Sequence, residues 1–264
     1  VMNELANLYS YRGEPDRAVT MYRAALDIDR QALGSDHPQV GMQVQNLALT
    51  LHMQGKLAEA EPLYAESMQI LGKVFGERHP QTIDAAANYG RFLHRRGELP
   101  RAEAVFNRVV DLDRQARGER HPYVAHDLSN RGTLLIDMLR WADAERDFRA
   151  ALDIYAESLP ADHPFVASAL TGLGRCQLEQ KRITEAEQTL RRATQIAAKS
   201  LAADSPQLAV ANSTLGRVLM AQDRRGEAAP LLRDSYPILA KTQGDEALIT
   251  QRAREAIAEL DGGL

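Results

Sequence analysis

The chain has 264 residues, of which 44% are hydrophobic, 26% charged and only 5% aromatic, and its formal net charge is −4. Such a balance gives no general electrostatic pull toward nucleic acid or an anionic membrane surface, and no apolar run approaches the ~18 residues of a membrane span. Cys176 is the single cysteine, which excludes an intramolecular disulfide and a multi-cysteine zinc site and fits a reducing, cytoplasmic setting.

Val1 already falls inside a helical pattern and no charged-then-apolar signal precedes it, so the chain reads as a piece of something longer, cut on its N-terminal side. Residues 1–36 hold most of a helix pair: Ala6 in the first helix, Gly13 at the turn, Ala18 and Tyr22 in the second, Gly34 at its end. A two-residue word then recurs at His37-Pro38, His79-Pro80, His121-Pro122 and His163-Pro164 and decays to Ser205-Pro206, each 42 residues after the last. A fixed period of this length is the mark of a stacked array. Eleven residues after each word begins stands a small residue: Ala48, Gly90, Gly132, Gly174, Gly216. Twenty-three after it stands alanine: Ala60, Ala102, Ala144, Ala186, Ala228. Four further on stands a large apolar side chain: Tyr64, Phe106, Phe148, Leu190, Leu232. Glycine or alanine at these places lets two helix backbones approach closely, and the large side chain fills the space beside them.

The unit 37–78 shows how each unit divides. Gln39–Gln54 carries Val44, Leu47, Ala48 and Leu51 at helical spacing, one apolar stripe. Gly55 stops it, as a glycine in the left-handed region does. Leu57–Val74 follows with Ala60, Leu63, Tyr64, Ile70 and Leu71, ending around Gly76; Gly118 and Gly244 mark the same joint. Gly97 repeats the role of Gly55, but Leu139, Lys181 and Asp223 stand there later, so those turns are expected to be built differently. The proline after each His suits a first helical turn, where no backbone N–H is needed, and Asp36 and Asp162 are placed to cap. The expected division is 1–36, 37–78, 79–120, 121–162, 163–204 and 205–246, then a capping helix and tail over 247–264. In that last segment Leu248–Leu260 repeats the first-helix frame with Ile257 and Ala258 at the packing positions, and Arg252, Arg254, Glu255 and Glu259 are expected to face water before the Asp261-Gly262-Gly263-Leu264 tail.

Leu47-Ala48-x-x-Leu51 followed by Ala60-x-x-x-Tyr64 resembles the tetratricopeptide consensus, L-G-x-x-Y then A-x-x-x-F; HEAT and armadillo repeats share a period of about 40–47 but not this placement. More narrowly, the His-Pro starts, Val44-Gln45-Asn46-Leu47-Ala48, Glu59-Ala60-Glu61 and Ala25-Leu26-Asp27-Ile28 are similar to the kinesin-light-chain-like, 42-residue subtype over almost the whole chain. The Arg- and Ala-rich drift resembles the bacterial arrays of this type, often fused behind a serine/threonine kinase or a regulatory domain. The resemblance implies an all-α, right-handed α-solenoid of antiparallel helix pairs that holds a protein or peptide in a groove lined by the first helix of each pair.

Positions 5, 9, 12 and 16 after each word share one face of the first helix, opposite much of the apolar stripe. They read Met42, Asn46, Leu49, Met53; Asp84, Asn88, Arg91, Arg95; His126, Asn130, Thr133, Asp137; Ser168, Gly172, Arg175, Glu179; and Val210, Thr214, Arg217, Ala221, with Glu4 and Asn7 from the partial unit. Asn46, Asn88 and Asn130 stand at one equivalent position in three successive units. An amide that donates and accepts can hold a peptide backbone whatever its sequence, and the resemblance implies that use; persistence as a solvated residue is the other reading. Gly172 and Thr214 break the ladder. Arg91, Arg175 and Arg217 share another position, with Arg95 one turn beyond Arg91; they either favour an acidic peptide or free carboxylate or form a solvated wall. Met42 and Met53 either floor the groove or pack under a neighbouring helix.

The four His-Pro histidines, one unit apart, read as linkers or caps, and His52 and His94 stand too far apart for a metal pair. Trp141 takes the slot of Leu57 and Leu99 and reads as core; Cys176 reads as a buried thiol. No glycine-rich phosphate loop, Gly-x-Ser-x-Gly or His-Glu-x-x-His is present. The sequence therefore points to an interaction scaffold rather than an enzyme, with no catalytic or metal-binding residues and no cofactor. Its partner is a protein or peptide of acidic character, not nucleic acid or membrane, with self-association through the truncated N-terminal unit as an added expectation. The alternative is a regulatory or oligomerising arm of a larger signalling protein, such as a serine/threonine kinase, without a peptide ligand of its own.

Overall fold

The computed structural model describes residues 2–262, apart from the side chain of Tyr11. The expectations placed on Val1, Gly263 and Leu264 lie outside the described residues. Among those described there are thirteen α-helices and no strand, in two compact units, Val1–Glu119 and Arg120–Leu264.

The first unit holds α1 (Met2–Tyr11), α2 (Pro15–Leu33), α3 (Pro38–Met53), α4 (Leu57–Phe75), α5 (Pro80–Arg95) and α6 (Leu99–Arg117). Within it α1 packs on α2, α3 on α4 and α5 on α6, while α2 and α4 each also pack on the helix that follows. The second unit holds α7 (Pro122–Asp137), α8 (Trp141–Ser158), α9 (Pro164–Glu179), α10 (Ile183–Ser200), α11 (Pro206–Met220), α12 (Arg225–Gln243) and α13 (Leu248–Gly262). The same pairing repeats there, and α13 packs on both α11 and α12. This is the all-α stack of helix pairs that defines the expected solenoid class.

The four His-Pro helix starts have a single design, and it differs from the expected one. The N-cap is the histidine, not Asp36 or Asp162: Nδ1 of His37, His79, His121 and His163 accepts the backbone N–H two residues on, at 3.1–3.3 Å. Asp36 instead pairs with Lys73. An Nδ1 lone pair sits at the reach of a serine or aspartate oxygen, so it satisfies one of the orphan amides of the first turn. Ser205 does not do this; its hydroxyl donates to Gln207 Oε1 at 2.8 Å.

The turns between paired helices also correct the expectation. Leu139, Lys181 and Asp223 adopt φ of 59°, 63° and 57°, the same left-handed region as Gly13, Gly55 and Gly97. Each is followed by the same bond to a carbonyl five residues back: Arg140 to Leu135 at 2.8 Å, Arg182 to Gln177 and Arg224 to Leu219 at 2.9 Å, matching Lys56 to Leu51 at 2.9 Å. The hydrogen bonds of the turn, not the residue type, hold the conformation.

Small residues do what the spacing demands. In the first unit a Cβ added to Gly90 would lie 3.1 Å from the Phe106 ring. In the second, a Cβ on Gly132 would lie 2.9 Å from Phe148, one on Gly174 2.5 Å from Leu190 and one on Gly216 2.7 Å from Leu232. All four large side chains are buried. Successive pairs are also tied by an acid on one second helix and the turn of the next pair. In the first unit Asp16 reaches Gln54 and Lys56, and Glu61 reaches Arg96. In the second, Glu145 takes Gln180 and Arg182, and Glu187 takes Gln222 at 2.8 Å and Arg224 at 2.6 Å.

Candidate functional site: the first-helix faces

In the first unit the face begins on α1, where Tyr22 donates to the Asn7 side-chain oxygen. On α3, Asn46 is half-buried, and among the described residues none hydrogen-bonds its side-chain amide. Met42 and Met53 flank it, and Met53 is 65% exposed, which rules out packing beneath a neighbouring helix. On α5, Arg91 donates to the Asn88 side-chain oxygen, leaving the Asn88 NH2 group turned to other acceptors, and Arg95 is exposed one turn on. Behind this face His52 is buried against Tyr64, Nδ1 to hydroxyl 3.2 Å, with the Phe92 ring 5.4 Å away. Burial, then the charges of Arg95 and Arg91, push the His52 imidazole down to about 4. It is therefore neutral at physiological pH.

In the second unit Asn130, on α7, is half-buried, with its amide nitrogen 3.2 Å from His126 Nδ1. The next two ladder positions are closed. Gly172 is buried because the Phe148 ring occupies the place a side chain would take, and Thr214 is buried with its hydroxyl donated to the Val210 carbonyl at 2.7 Å. In the second unit, therefore, only α7 presents an asparagine at this repeat position.

Arginines take over that stretch. Arg217 on α11 donates to Glu179 at 2.7 Å. Arg175 on α9 has a side chain only 13% exposed and faces Asp137 at 3.9 Å, too far for a hydrogen bond. Burial pulls its pKa below the ordinary arginine value, against the pull of Asp137. Both arginines line a cavity with Trp141, Glu179, Leu248, Ile249 and Arg252. Two expectations fail here. Trp141 is half-buried and lines the cavity rather than lying in the core; Leu57 and Leu99, at the equivalent slot in the first unit, are half-buried too. Arg252 lines the same wall, 3.9 Å from Glu179, rather than only facing water. The repeat frame gave each of these residues a local reading and could not show that α8 and α13, more than two repeats apart, line one cavity.

Cys176, adjacent to Arg175, points the other way: it is fully buried and its thiol is pushed up to about 12 by desolvation, which makes it inert. Among the described residues no helix is long and apolar enough to cross a membrane.

A tetratricopeptide repeat model matches residues 42–115, 83–157 and 125–199, and a second model of that description matches residues 1–39. No curated protein matches the chain in sequence. Among solved structures, it is similar to the nearly identical TPR-like repeats of a proposed kinesin light chain from Podosopora anserina, at 23% identity over 78% of this chain and 98% of that one, TM-score 0.61. It is also similar to BtubC (BKLC) from P. vanneervenii, at 17% identity over 87% and 92%, TM-score 0.69. A Rap protein complexed with competence and sporulation factor aligns at 14% identity over 100% and 76%, TM-score 0.67. At these identities the likeness is one of fold.

Proposed function

The chain belongs to the tetratricopeptide repeat family, a scaffold for contacts between proteins, and from that premise we propose that it holds a peptide or protein segment along the outward faces of its first helices. The observation that carries this is the set Asn46, Asn88 and Asn130: three equivalent side chains, each half-buried on a first helix and each with hydrogen-bonding capacity left over. Half-desolvated amides give up little further hydration when a peptide backbone replaces water, and those of Asn88 and Asn130, already hydrogen-bonded, lose little rotamer entropy. Arg91 orients the Asn88 amide, and Arg95, Arg175 and Arg217 favour a segment carrying acidic residues. The kinesin-light-chain-like subtype, a bacterial source and a cytoplasmic setting belong to the same reading.

A peptide selected against the parent from a displayed random library tests it. The reading expects a loss of about tenfold or more in affinity for an Asn46→Ala, Asn88→Ala, Asn130→Ala variant of unchanged helicity. Equal affinity for the two proteins sinks it.

A second reading, self-association or service as an oligomerising arm, is favoured by one feature of α1. Leu5 and Leu8 are 38% and 46% exposed, whereas their equivalents Leu47 and Thr50 are buried at 3% and 4%. Two neighbouring apolar side chains of α1 are thus exposed at positions that are buried on α3.

A further inference from the structure

Two aromatic side chains are exposed where the other repeats carry glutamine. Two residues after the start of each two-residue word the chain reads Gln39, Gln81, Tyr123, Phe165 and Gln207. Tyr123 is 52% exposed and Phe165 45%. They lie at the starts of α7 and α9, which pack on each other in the second unit. Neighbouring rings hold both in place. The Tyr123 ring stacks on the His121 imidazole, centroids 5.6 Å apart, and that imidazole accepts the Tyr123 N–H at 3.3 Å. Phe165 meets the His163 ring at 4.9 Å, with His126 at 5.3 Å and Tyr155 at 6.1 Å. A ring already immobilised in this way gives up little rotamer entropy when a partner covers its open face. Aromatic anchors of that kind carry much of the energy of a contact.

The spacing limits what can cover both rings. Equivalent positions on helices packed together lie about 8–10 Å apart. One turn of a polyproline II helix, three residues at about 3.1 Å each, spans that distance. A strand returns a side chain to one face about every 7 Å and an α-helix about every 5.4 Å, so neither sets successive side chains on the two rings. Rings on an open edge hold a ligand by its faces without enclosing it, which favours a segment that arrives with its shape preformed. Charge narrows the partner further. Asp153, Glu157 and Asp162 are exposed at this edge, and Arg120 is taken up by Glu157 at 2.8 Å, with its Nη2 also 3.3 Å from the Asp153 carbonyl. The surplus is acidic, opposite in sign to the arginines of the first-helix faces, so the complementary segment is basic.

We propose that the edge formed by Tyr123 and Phe165 docks a basic, proline-rich segment in the polyproline II conformation, one proline against each ring and the basic residues toward Asp153, Glu157 and Asp162. This surface lies at the helix starts and stands or falls independently of the asparagine positions on α3 and α5.

Fluorescence anisotropy of a labelled, amidated peptide, two Pro-Pro-Ala turns followed by Pro-Arg-Arg, tests this on the whole chain. The parent binds it saturably. An analogue with every proline replaced by alanine, and another with both arginines replaced by glutamate, bind at least about tenfold more weakly. A Tyr123→Gln, Phe165→Gln variant of unchanged helicity, which carries the residue the other repeats have there, also loses about tenfold or more. Should that pair lose helicity, Tyr123→Gln alone is expected to lose about threefold or more. Asn46→Ala, Asn88→Ala binds the peptide like the parent. No saturable binding overturns the proposal, as does equal binding of the alanine analogue, which removes the polyproline II requirement. A glutamate analogue that binds as well as the parent peptide overturns the role of the acids. Loss of binding in the asparagine variant, with Tyr123→Gln, Phe165→Gln unaffected, would put the segment on the first-helix faces and leave the edge without a ligand.

Discussion

Phe148 shows how much of this structure is decided at single positions. Its buried ring sits between Gly132 on α7 and Gly172 on α9, and neither position has room for a Cβ. Alanine at 172 would gain about 1 kcal/mol of helix propensity but force a ring in a close-packed core to move, which costs typically about 1–3 kcal/mol. Gly172→Ala is therefore expected to lower the denaturation midpoint. Gly226→Ala, where an added Cβ meets nothing within 4 Å, is expected to raise it. A Gly172→Ala protein as stable as the parent would contradict the packing described. Lys181, at φ 63°, carries the opposite expectation: a non-glycine residue there costs about 1–2 kcal/mol, so Lys181→Gly should stabilise by roughly 0.5–1 kcal/mol after its entropy cost. Chemical denaturation that finds Lys181→Gly neutral or worse would mean the side chain earns its place by contacts. His52 makes stability depend on pH. Its folded pKa of about 4 lies below the ordinary histidine value of 6.5, so the unfolded chain binds a proton that the folded chain refuses. Stability contributed by the neutral ring is present above 6.5 and is lost as pH falls toward 4, on the order of 3 kcal/mol in all. His52→Gln should flatten that part of the curve relative to the parent; parallel curves would show that the histidine titrates normally.

At the scale of helices, what repeats in sequence was legible and what depends on a particular neighbour was not. Gln39–Gln54 and Leu57–Val74 foretold α3 and α4 to within a residue, because apolar spacing, proline and glycine act locally. The caps were misassigned to Asp36 and Asp162, since aspartate is the commoner capping residue and an imidazole Nδ1 does the same work less often. The turns at Leu139, Lys181 and Asp223 were expected to differ because residue type was read as conformation. Each His-Pro start should then be worth what a cap is worth: His121→Ala is expected to cost about 0.5–2 kcal/mol in thermal unfolding. No loss at all would leave the 3.3 Å bond to Tyr123 without energetic weight. One of the ties between pairs is acid-sensitive. Glu187, hydrogen-bonded by Gln222 and Arg224, is held down to about 2 from 4.5, so its contribution is present above 4.5 and lost as pH falls toward 2.

At the scale of the whole molecule, the asparagine and arginine positions were legible from the 42-residue frame, but the cavity holding Trp141, Arg175 and Arg252 was not. Residues at equal repeat positions announce themselves by recurrence. Arg175 and Arg217 recur in that way, but Trp141 and Arg252 join them from α8 and α13 at other repeat positions, so the period does not reveal that the four line one cavity. The open face of α1 belongs to this scale too. If Leu5 and Leu8 mediate self-association, light scattering on the purified chain should show a species heavier than the monomer that Leu5→Glu, Leu8→Glu returns to monomer; a monomeric parent would dispose of that reading. The central claim remains that the first helices, and not the second, hold the ligand. Side-chain amide resonances of Asn46, Asn88 and Asn130, followed by NMR as a selected peptide is added, test it most directly. The account predicts that these three NH2 pairs shift and saturate while exposed residues of the second helices, such as Asn107 on α6, stay in place. Shifts confined to the second helices, with all three asparagines unmoved, would contradict it.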